Sequence, residues 1–277
     1  MKITDIKGTV TLNNGVEMPY FGLGVFKAED GQEVIDSVSF ALEAGYRHID
    51  TAAIYQNERG VGQAIRQSEV DRKEIFVTSK VWNSDQGYDS TIKAFHASLV
   101  KLDLSYLDLF LVHWPVKGKY KETYRALETL YEEGKIKAIG VSNFLVHHLE
   151  DLLSTAKIVP AINQIEYHPY LTQPELINTC FSNGIVPEAW SPLMQGQVTE
   201  VAELTQLSQK YYKTEAQLVL RWNLQKGIIT IPKSSRKSRI LENANIFDFE
   251  ITAEDMVVID SLNRNQRIGA DPDNFNF

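Results

Sequence analysis

With one cysteine, Cys180, among 277 residues, the chain can make no internal disulfide, and without a CxxC pair it offers neither a thiolate zinc site nor a dithiol redox centre. A reducing, cytoplasmic setting fits. No run approaches about 18 apolar residues, and the opening MKITDIKGTV has no apolar signal segment, so neither a membrane-spanning nor a secreted protein is expected. Cations are in deficit: 28 Lys and Arg against 36 Asp and Glu leave a net charge of -8, which speaks against nucleic acid or an anionic membrane as the partner. Any anion site must be local. Pro/Ser-rich linkers, charge blocks and fixed-period repeats are also missing, so residues 1–277 read as one domain, expected to act as a monomer. A G-x-G-x-x-G turn is absent as well. Gly22-Leu23-Gly24 runs into Val25, Phe26 and Lys27, and Gly60-Val61-Gly62 leads to Ile65, which argues against a doubly wound dinucleotide fold.

What is present is ordinary globular usage, 43% hydrophobic and 23% charged, in a chain long enough to bury roughly 75% of its unfolded surface. Thr9-Val10-Thr11-Leu12 and Val16-Glu17-Met18 flank Asn13-Asn14-Gly15 and predict an N-terminal β-hairpin, because Asn-Gly tolerates positive φ. Short apolar runs then end near Val25, Asp50, Lys80, His113, Ser142, Ile165, Trp190 and Ile231. Eight strands are implied. The gaps of 25, 30, 33, 29, 23, 25 and 41 residues each hold a strand, a crossover helix and two loops. Helical stripes such as Ile92, Phe95, Leu99 and Leu102, or Val146, Leu149 and Leu153, would cover the sheet. Nearly continuous apolar strands such as Leu109 to Val112 and Ile228 to Ile231 suit a parallel sheet covered on both sides. The expected fold is α/β, a single (β/α)8 barrel preceded by the hairpin.

In such a barrel the chemistry sits where strands end at the C-terminal face. Asp50, Lys80 and His113 each follow an apolar run, and Tyr55 lies five residues beyond Asp50. Together they could protonate an oxyanion: Tyr55 as acid, Lys80 lowering its pKa, Asp50 holding the ammonium, and His113 orienting a carbonyl oxygen. No nucleophile accompanies them. Taken singly, Asp50 suits a turn, Tyr55 suits packing and His113 suits a satisfied buried imidazole; Lys80 after a buried strand, beside Asp50, needs a partner or a task. A second cluster, Lys233 to Arg239, places four cations in seven residues after the eighth strand. A solvated cap is the bland reading, but barrels place phosphate sites in their last βα loops. No metal is expected, since His147 and His148 are adjacent and should diverge on a helix while His48, His96 and His168 are scattered. Phe26, Trp82 and Trp114 follow strand ends and could wall an apolar pocket or simply cap the core.

These residues resemble the aldo-keto reductase superfamily, and its short bacterial members of the glyoxal and 2,5-diketo-gluconate reductase kind. Gly45-Tyr46-Arg47-His48-Ile49-Asp50-Thr51-Ala52-Ala53-Ile54-Tyr55-Gln56-Asn57-Glu58 is similar to the first signature of that family, Ile139-Gly140-Val141-Ser142-Asn143-Phe144 to the second, and Lys233-Ser234 with Arg239 and Asn243 to the third. The resemblance implies a TIM barrel that binds NADPH in extended form and passes hydride to an aldehyde or ketone, with Tyr55 as acid. It also implies carboxamide contacts from Ser142, Asn143 and Gln164, and nicotinamide stacking on Trp190. Ser191 and Leu193 would meet the pyrophosphate, Lys233, Ser234 and Arg239 the 2′-phosphate, and Glu242 and Asn243 the adenine. Phe26, Trp82, His113 and Trp114 would face a small carbonyl substrate such as methylglyoxal or glyoxal. The segments Pro115–Lys121 and Pro192–Val198 are shorter than in mammalian members, which implies loose specificity and leaves the tail Ala270–Phe277 as the remaining wall. Two rivals stand beside this: a lyase using Lys80 as a Schiff base, and a nucleotide sensor without turnover.

Overall fold

The computed structural model describes residues 1–275 and Phe277. Strands β1 (Thr9–Thr11) and β2 (Glu17–Pro19) pair antiparallel with Val10 opposite Met18, forming the expected hairpin. Of its turn residues only Gly15 has positive φ, 83°, and its N–H donates to the Leu12 carbonyl at 2.9 Å. The asparagines use their side chains instead. Asn14 donates to the Lys137 carbonyl at 2.9 Å and Asn13 to that of Pro160 at 3.0 Å, which seats the hairpin on the end of the barrel where strands begin.

Eight parallel strands follow: β3 (Leu23–Gly24), β4 (His48–Asp50), β5 (Phe76–Val81), β6 (Leu107–Val112), β7 (Ile136–Ser142), β8 (Ile162–Glu166), β9 (Val186–Trp190) and β10 (Ile229–Thr230). They pair strictly in sequence order. Each expected strand end lies within one residue of the observed one, because hydrophobic runs covered on both faces stop where the chain meets water. Gly22 N–H donates to the Thr230 carbonyl at 3.0 Å, Thr230 N–H to Tyr20 at 3.1 Å, and Gly24 N–H to Pro232 at 3.1 Å. These bonds close β10 onto β3, completing a (β/α)8 barrel with no free edge.

The outer layer comprises α1 (Gln32–Glu43), α2 (Glu58–Gln67), α3 (Tyr88–Leu102), α4 (Tyr120–Glu132), α5 (Val146–Leu153), α6 (Pro174–Ser182), α7 (Ala202–Tyr211), α8 (Glu215–Gln225) and α9 (Lys237–Ala244), with α10 (Ala253–Asp260) leading to the tail. The long 41-residue interval before Ile231 is accounted for by two helices, α7 and α8. Phe95 and Leu102 are buried on α3 as the stripe requires, with Ile92 and Leu99 half-buried beside them. Among the described residues no helix is long and apolar enough to cross a membrane.

Helix α2 begins three residues after Tyr55 and is held against α3 at Gly62, where a Cβ would lie 1.9 Å from the Leu102 carbonyl oxygen. A backbone atom cannot yield as a side chain can. Gly62→Ala is therefore expected to destabilise the fold by roughly 1–3 kcal/mol, read as a lower urea midpoint with the slope retained. An unchanged midpoint would show that the two helices have slack here.

Candidate active site

Strand register brings the polar residues together. Asp50 on β4 pairs with Thr78 on β5, so Lys80, two residues further, shares the inward face. Its Nζ donates to Asp50 Oδ1 at 2.6 Å and to the Thr51 carbonyl at 3.0 Å, and the side chain is fully enclosed. Tyr55 lies in a short 3-10 turn, Ala53–Tyr55, just past β4, with its ring centroid 5.1 Å from that ammonium. His113 follows β6, its ring meeting Tyr55 edge-on at 5.8 Å and Trp82 at 5.1 Å. All four expected residues converge on the C-terminal mouth.

Burial pushes the Asp50 carboxyl up, against the pull of Lys80 and the hydrogen bond from Gln164. Burial alone would lower Lys80, but Asp50, Tyr55 and Glu188 together outweigh it and hold the amine above its ordinary value. With a 2.6 Å contact and Gln164 donating to the second carboxylate oxygen at 2.8 Å, we read Asp50 and Lys80 as an ion pair. His113 is pushed well below its ordinary value by burial and then by Lys80, so its ring is neutral. Its buried Nδ1 has no partner among the described residues, and an unpaired lone pair costs less than an unpaired N–H, which assigns the ring proton to Nε2.

The expectation for Tyr55 needs correction. Lys80 does pull its phenol down, yet burial is the larger effect and the net direction is upward, with Asp50 and Glu188 adding to it. Tyr55 is thus a firmly protonated phenol. The nearby ammonium does not suffice to ionise it beforehand.

One cleft of about 850 Å³ runs from this mouth across the barrel top. Every residue expected at the site lines it except Lys80, which lies behind Asp50 and Tyr55. An amine enclosed there, protonated and already bonded to Asp50 and Thr51, is poorly placed to form a Schiff base. Ser142, Asn143 and Gln164 line the cleft with Trp190. The indole N–H of Trp190 donates to Asn143 Oδ1 at 2.9 Å, while Asn143 Nδ2 donates to the His113 carbonyl at 2.9 Å and to Ser142 Oγ at 3.1 Å. Just past Trp190, Ser191, Met194 and Gln195 adopt left-handed φ of 53°, 52° and 54°, turning the backbone sharply around Leu193. The same cleft is also lined by Lys233, Ser234, Arg239, Glu242 and Asn243. Arg72 and Lys137 are tied to Asp108, whereas Lys233 and Arg239 have no ion-pair partner among the described residues.

Phe26 is half exposed and packs on Tyr55 with centroids 5.0 Å apart. The tail does form a wall: Phe277 stacks on Trp82 at 5.7 Å and 6°, and Phe275 and Phe277 both meet Trp114. Asn276, inside the expected tail segment, lies outside the described residues. The divergence expected of His147 and His148 does not occur. In the first turn of α5 their rings lie 4.0 Å apart, and both Nε2 atoms approach Asp273 Oδ1, at 2.9 and 3.5 Å. His148 Nδ1 accepts the Leu145 N–H, so its Nε2 carries a proton toward Asp273 and the ring holds the tail rather than offering a lone pair to a metal.

One buried residue of the site, Glu188, has no counterpart in the sequence analysis, and His48, taken there as one of several scattered histidines, lies beside it. Glu188, two residues before Trp190 and therefore on its face of β9, accepts from Gln164 Nε2 at 2.9 Å, and His48 Nε2 lies 3.7 Å from its other oxygen. A carboxylate inside a predicted strand was the available signal.

Comparison with known proteins agrees with this geometry. Residues 7–264 match the aldo/keto reductase family model. The chain is 60% identical over 274 residues to the glyoxal reductase of Bacillus subtilis, covering 99% of each chain. It is 44% identical over 270 residues to the methylglyoxal reductase DkgA of Escherichia coli, covering 96% of this chain and 97% of that one. A Bombyx mori aldo-keto reductase in complex with NADP superposes with a TM-score of 0.89 at 36% identity, over 98% of this chain and 97% of that one. Whole-length identity, the barrel and the convergence of Asp50, Tyr55, Lys80 and His113 together place this chain in the aldo/keto reductase family.

Proposed function

We propose that this chain is an NADPH-dependent reductase of small reactive aldehydes and dicarbonyls, with Tyr55 as general acid. The observation that carries this reading is the presence, in one cleft, of two neutral hydrogen-bond donors, Tyr55 and His113, together with Lys233 and Arg239, which have no salt bridge among the described residues. The residues fit the cofactor: Trp190 offers an aromatic face, Ser142, Asn143 and Gln164 offer amide and hydroxyl partners for a carboxamide, and Lys233 with Arg239 awaits a dianion. When bound, the reduced nicotinamide supplies the hydride. The names of the Bacillus and Escherichia relatives, glyoxal and methylglyoxal reductase, support the substrate class.

The protein's own part is handling the oxygen. A carbonyl oxygen placed between Tyr55 Oη and His113 Nε2 receives two hydrogen bonds, which polarise it in a low-dielectric pocket. On reduction the oxygen would gain charge and take the Tyr55 proton, completing the alcohol. The phenolate left behind is buried, and Lys80, held charged by Asp50, offsets that cost. Trp82, Trp114 and Phe277 exclude water around the reacting carbon.

Arg239→Ala should raise the Michaelis constant for NADPH far more than for NADH, since a charge-assisted contact to the extra phosphate is worth roughly 1.5–3 kcal/mol. Equal effects on both cofactors would remove Arg239 from the phosphate site. Tyr55→Phe should still bind NADPH, seen by fluorescence titration, while turnover falls about 10²–10⁴-fold. Full activity in that variant would move the acid to His113. Across a panel of aldehydes, dicarbonyls, keto-sugars and steroids, kcat/KM should follow carbonyl reactivity; a bulky ketone exceeding every small aldehyde by about a hundredfold, roughly 2.7 kcal/mol, would contradict the substrate class.

A further inference from the structure

A buried carboxyl group in the barrel does not touch the reacting oxygen in the chemistry above. Glu188 on β9 is register partner of Gln164 on β8, and its side chain is fully enclosed. Gln164 Nε2 donates to Asp50 Oδ2 at 2.8 Å and to Glu188 Oε2 at 2.9 Å. An amide nitrogen has two hydrogens, so both are consumed inside the barrel. What Gln164 has left for the cleft it lines is its oxygen, an acceptor. A single anchor would let the amide pivot; two anchors on different strands fix its plane.

We infer that Glu188 is a positioning residue that locks the Gln164 amide with its oxygen toward the cleft, so that the site accepts a hydrogen bond from a carboxamide NH₂ and from no acceptor-only group. This rests on the reading of Gln164 as a carboxamide partner. Through Gln164 and Asp50 the same hydrogen-bond chain reaches Lys80.

The choice of a carboxyl at this position has an electrostatic side. The groups facing Glu188 are His48 and Asp50 from β4, Lys80 from β5 and Gln164 from β8, with Tyr55 beyond; its neighbours on β10, Ile229 and Thr230, are uncharged. Burial, then Asp50, pushes Glu188 up to about 8, so near neutral pH it is an uncharged acid that adds no second negative charge beside Asp50. His48, lowered to about 3 by burial and Lys80, stays neutral; its Nε2 bonds the Thr78 hydroxyl at 3.2 Å and lies 3.7 Å from Glu188 Oε1, too far for a hydrogen bond. Ionised Glu188 holds the Tyr55 proton more tightly. Reduction should therefore slow as pH rises through about 8.

The test uses the full chain with Glu188→Met, Glu188→Gln and Gln164→Ala, NADPH affinity read by fluorescence titration and kcat for methylglyoxal read against pH. Glu188→Met should weaken NADPH about tenfold, the loss of one oriented hydrogen bond, while Glu188→Gln, whose amide oxygen accepts the same bond, stays within about twofold of wild type. The Gln variant should also lose the fall in kcat near pH 8, which a merely structural role would leave in place. Wild-type NADPH binding by Glu188→Met alongside weak binding by Gln164→Ala would overturn the inference, as would binding by Glu188→Gln as weak as that of Glu188→Met. If the Met variant does not fold, Glu188→Leu, which also removes the acceptor, is titrated with NADPH in its place. Wild-type binding by Gln164→Ala is a different result: it overturns the carboxamide reading itself, and the role of Glu188 with it.

Discussion

The ion pair of Lys80 and Asp50 is the constraint around which the rest of the site is arranged. Removing an ammonium from water costs several kcal/mol unless its partners are close and complete, and here Asp50 and the Thr51 carbonyl meet Nζ while Gln164 satisfies the second carboxylate oxygen. Such completeness demands a closed barrel. Gln164 comes from β8 and Asp50 from β4, strands that share no edge, so their contact spans the interior and exists only because β10 returns to β3. Closure of the sheet and correct charge on Lys80 are thus one requirement. Breaking either leaves a buried charge unpaired.

Charge is handled differently in two parts of the cleft. At the mouth it is enclosed and matched, and burial keeps Tyr55 and His113 neutral. Further along the cleft Lys233 and Arg239 are exposed and have no salt bridge among the described residues, although the Glu33 carboxylate feels Lys233, in a protein of net charge -8. Cations grouped in a protein of net negative charge raise the potential locally, over a range that screening limits to about 8–10 Å. The enclosed part suits the formation and loss of charge during reaction. The open part suits recognition of a charge already present.

Much of this was legible in the sequence because parallel strands covered on both faces write themselves as apolar runs, and the polar residue ending each run must lie at one mouth. Asp50, Lys80 and His113 follow from that rule, and Tyr55 from its distance to Asp50. What the rule omits is the inside of a strand. Glu188 looks like an interruption in Val186–Trp190, and nothing local reveals that Gln164 reaches it from the adjacent strand. Directions of pKa shift were equally hidden: the proximity of Lys80 to Tyr55 could be inferred, but the weight of burial against it depends on enclosure. His147 and His148 misled because helix periodicity describes a helix interior, whereas these two occupy a first turn where His148 bends back to the Leu145 N–H.

The tail shows how a barrel with short loops can still build a pocket. Glu166, at the end of β8, accepts the N–H groups of Ile268 and Gly269 at 2.6 and 3.0 Å, and Gly269 lies so close to Trp190 that a Cβ would come within 2.3 Å of the indole. Further along, Asp273 is held by His147 and His148, and Asn83 donates to the terminal Phe277 carbonyl at 3.0 Å. One strap, tied at both ends, therefore backs the aromatic face of Trp190 and then lays Phe275 and Phe277 against Trp114 and Trp82. The ordering entropy of a long mobile loop is avoided, because the tail is fixed by bonds to the barrel rather than by contact with a substrate. A wall set in this way is shaped before anything enters. It can exclude water from the volume it encloses without needing binding energy from the remainder of a larger molecule.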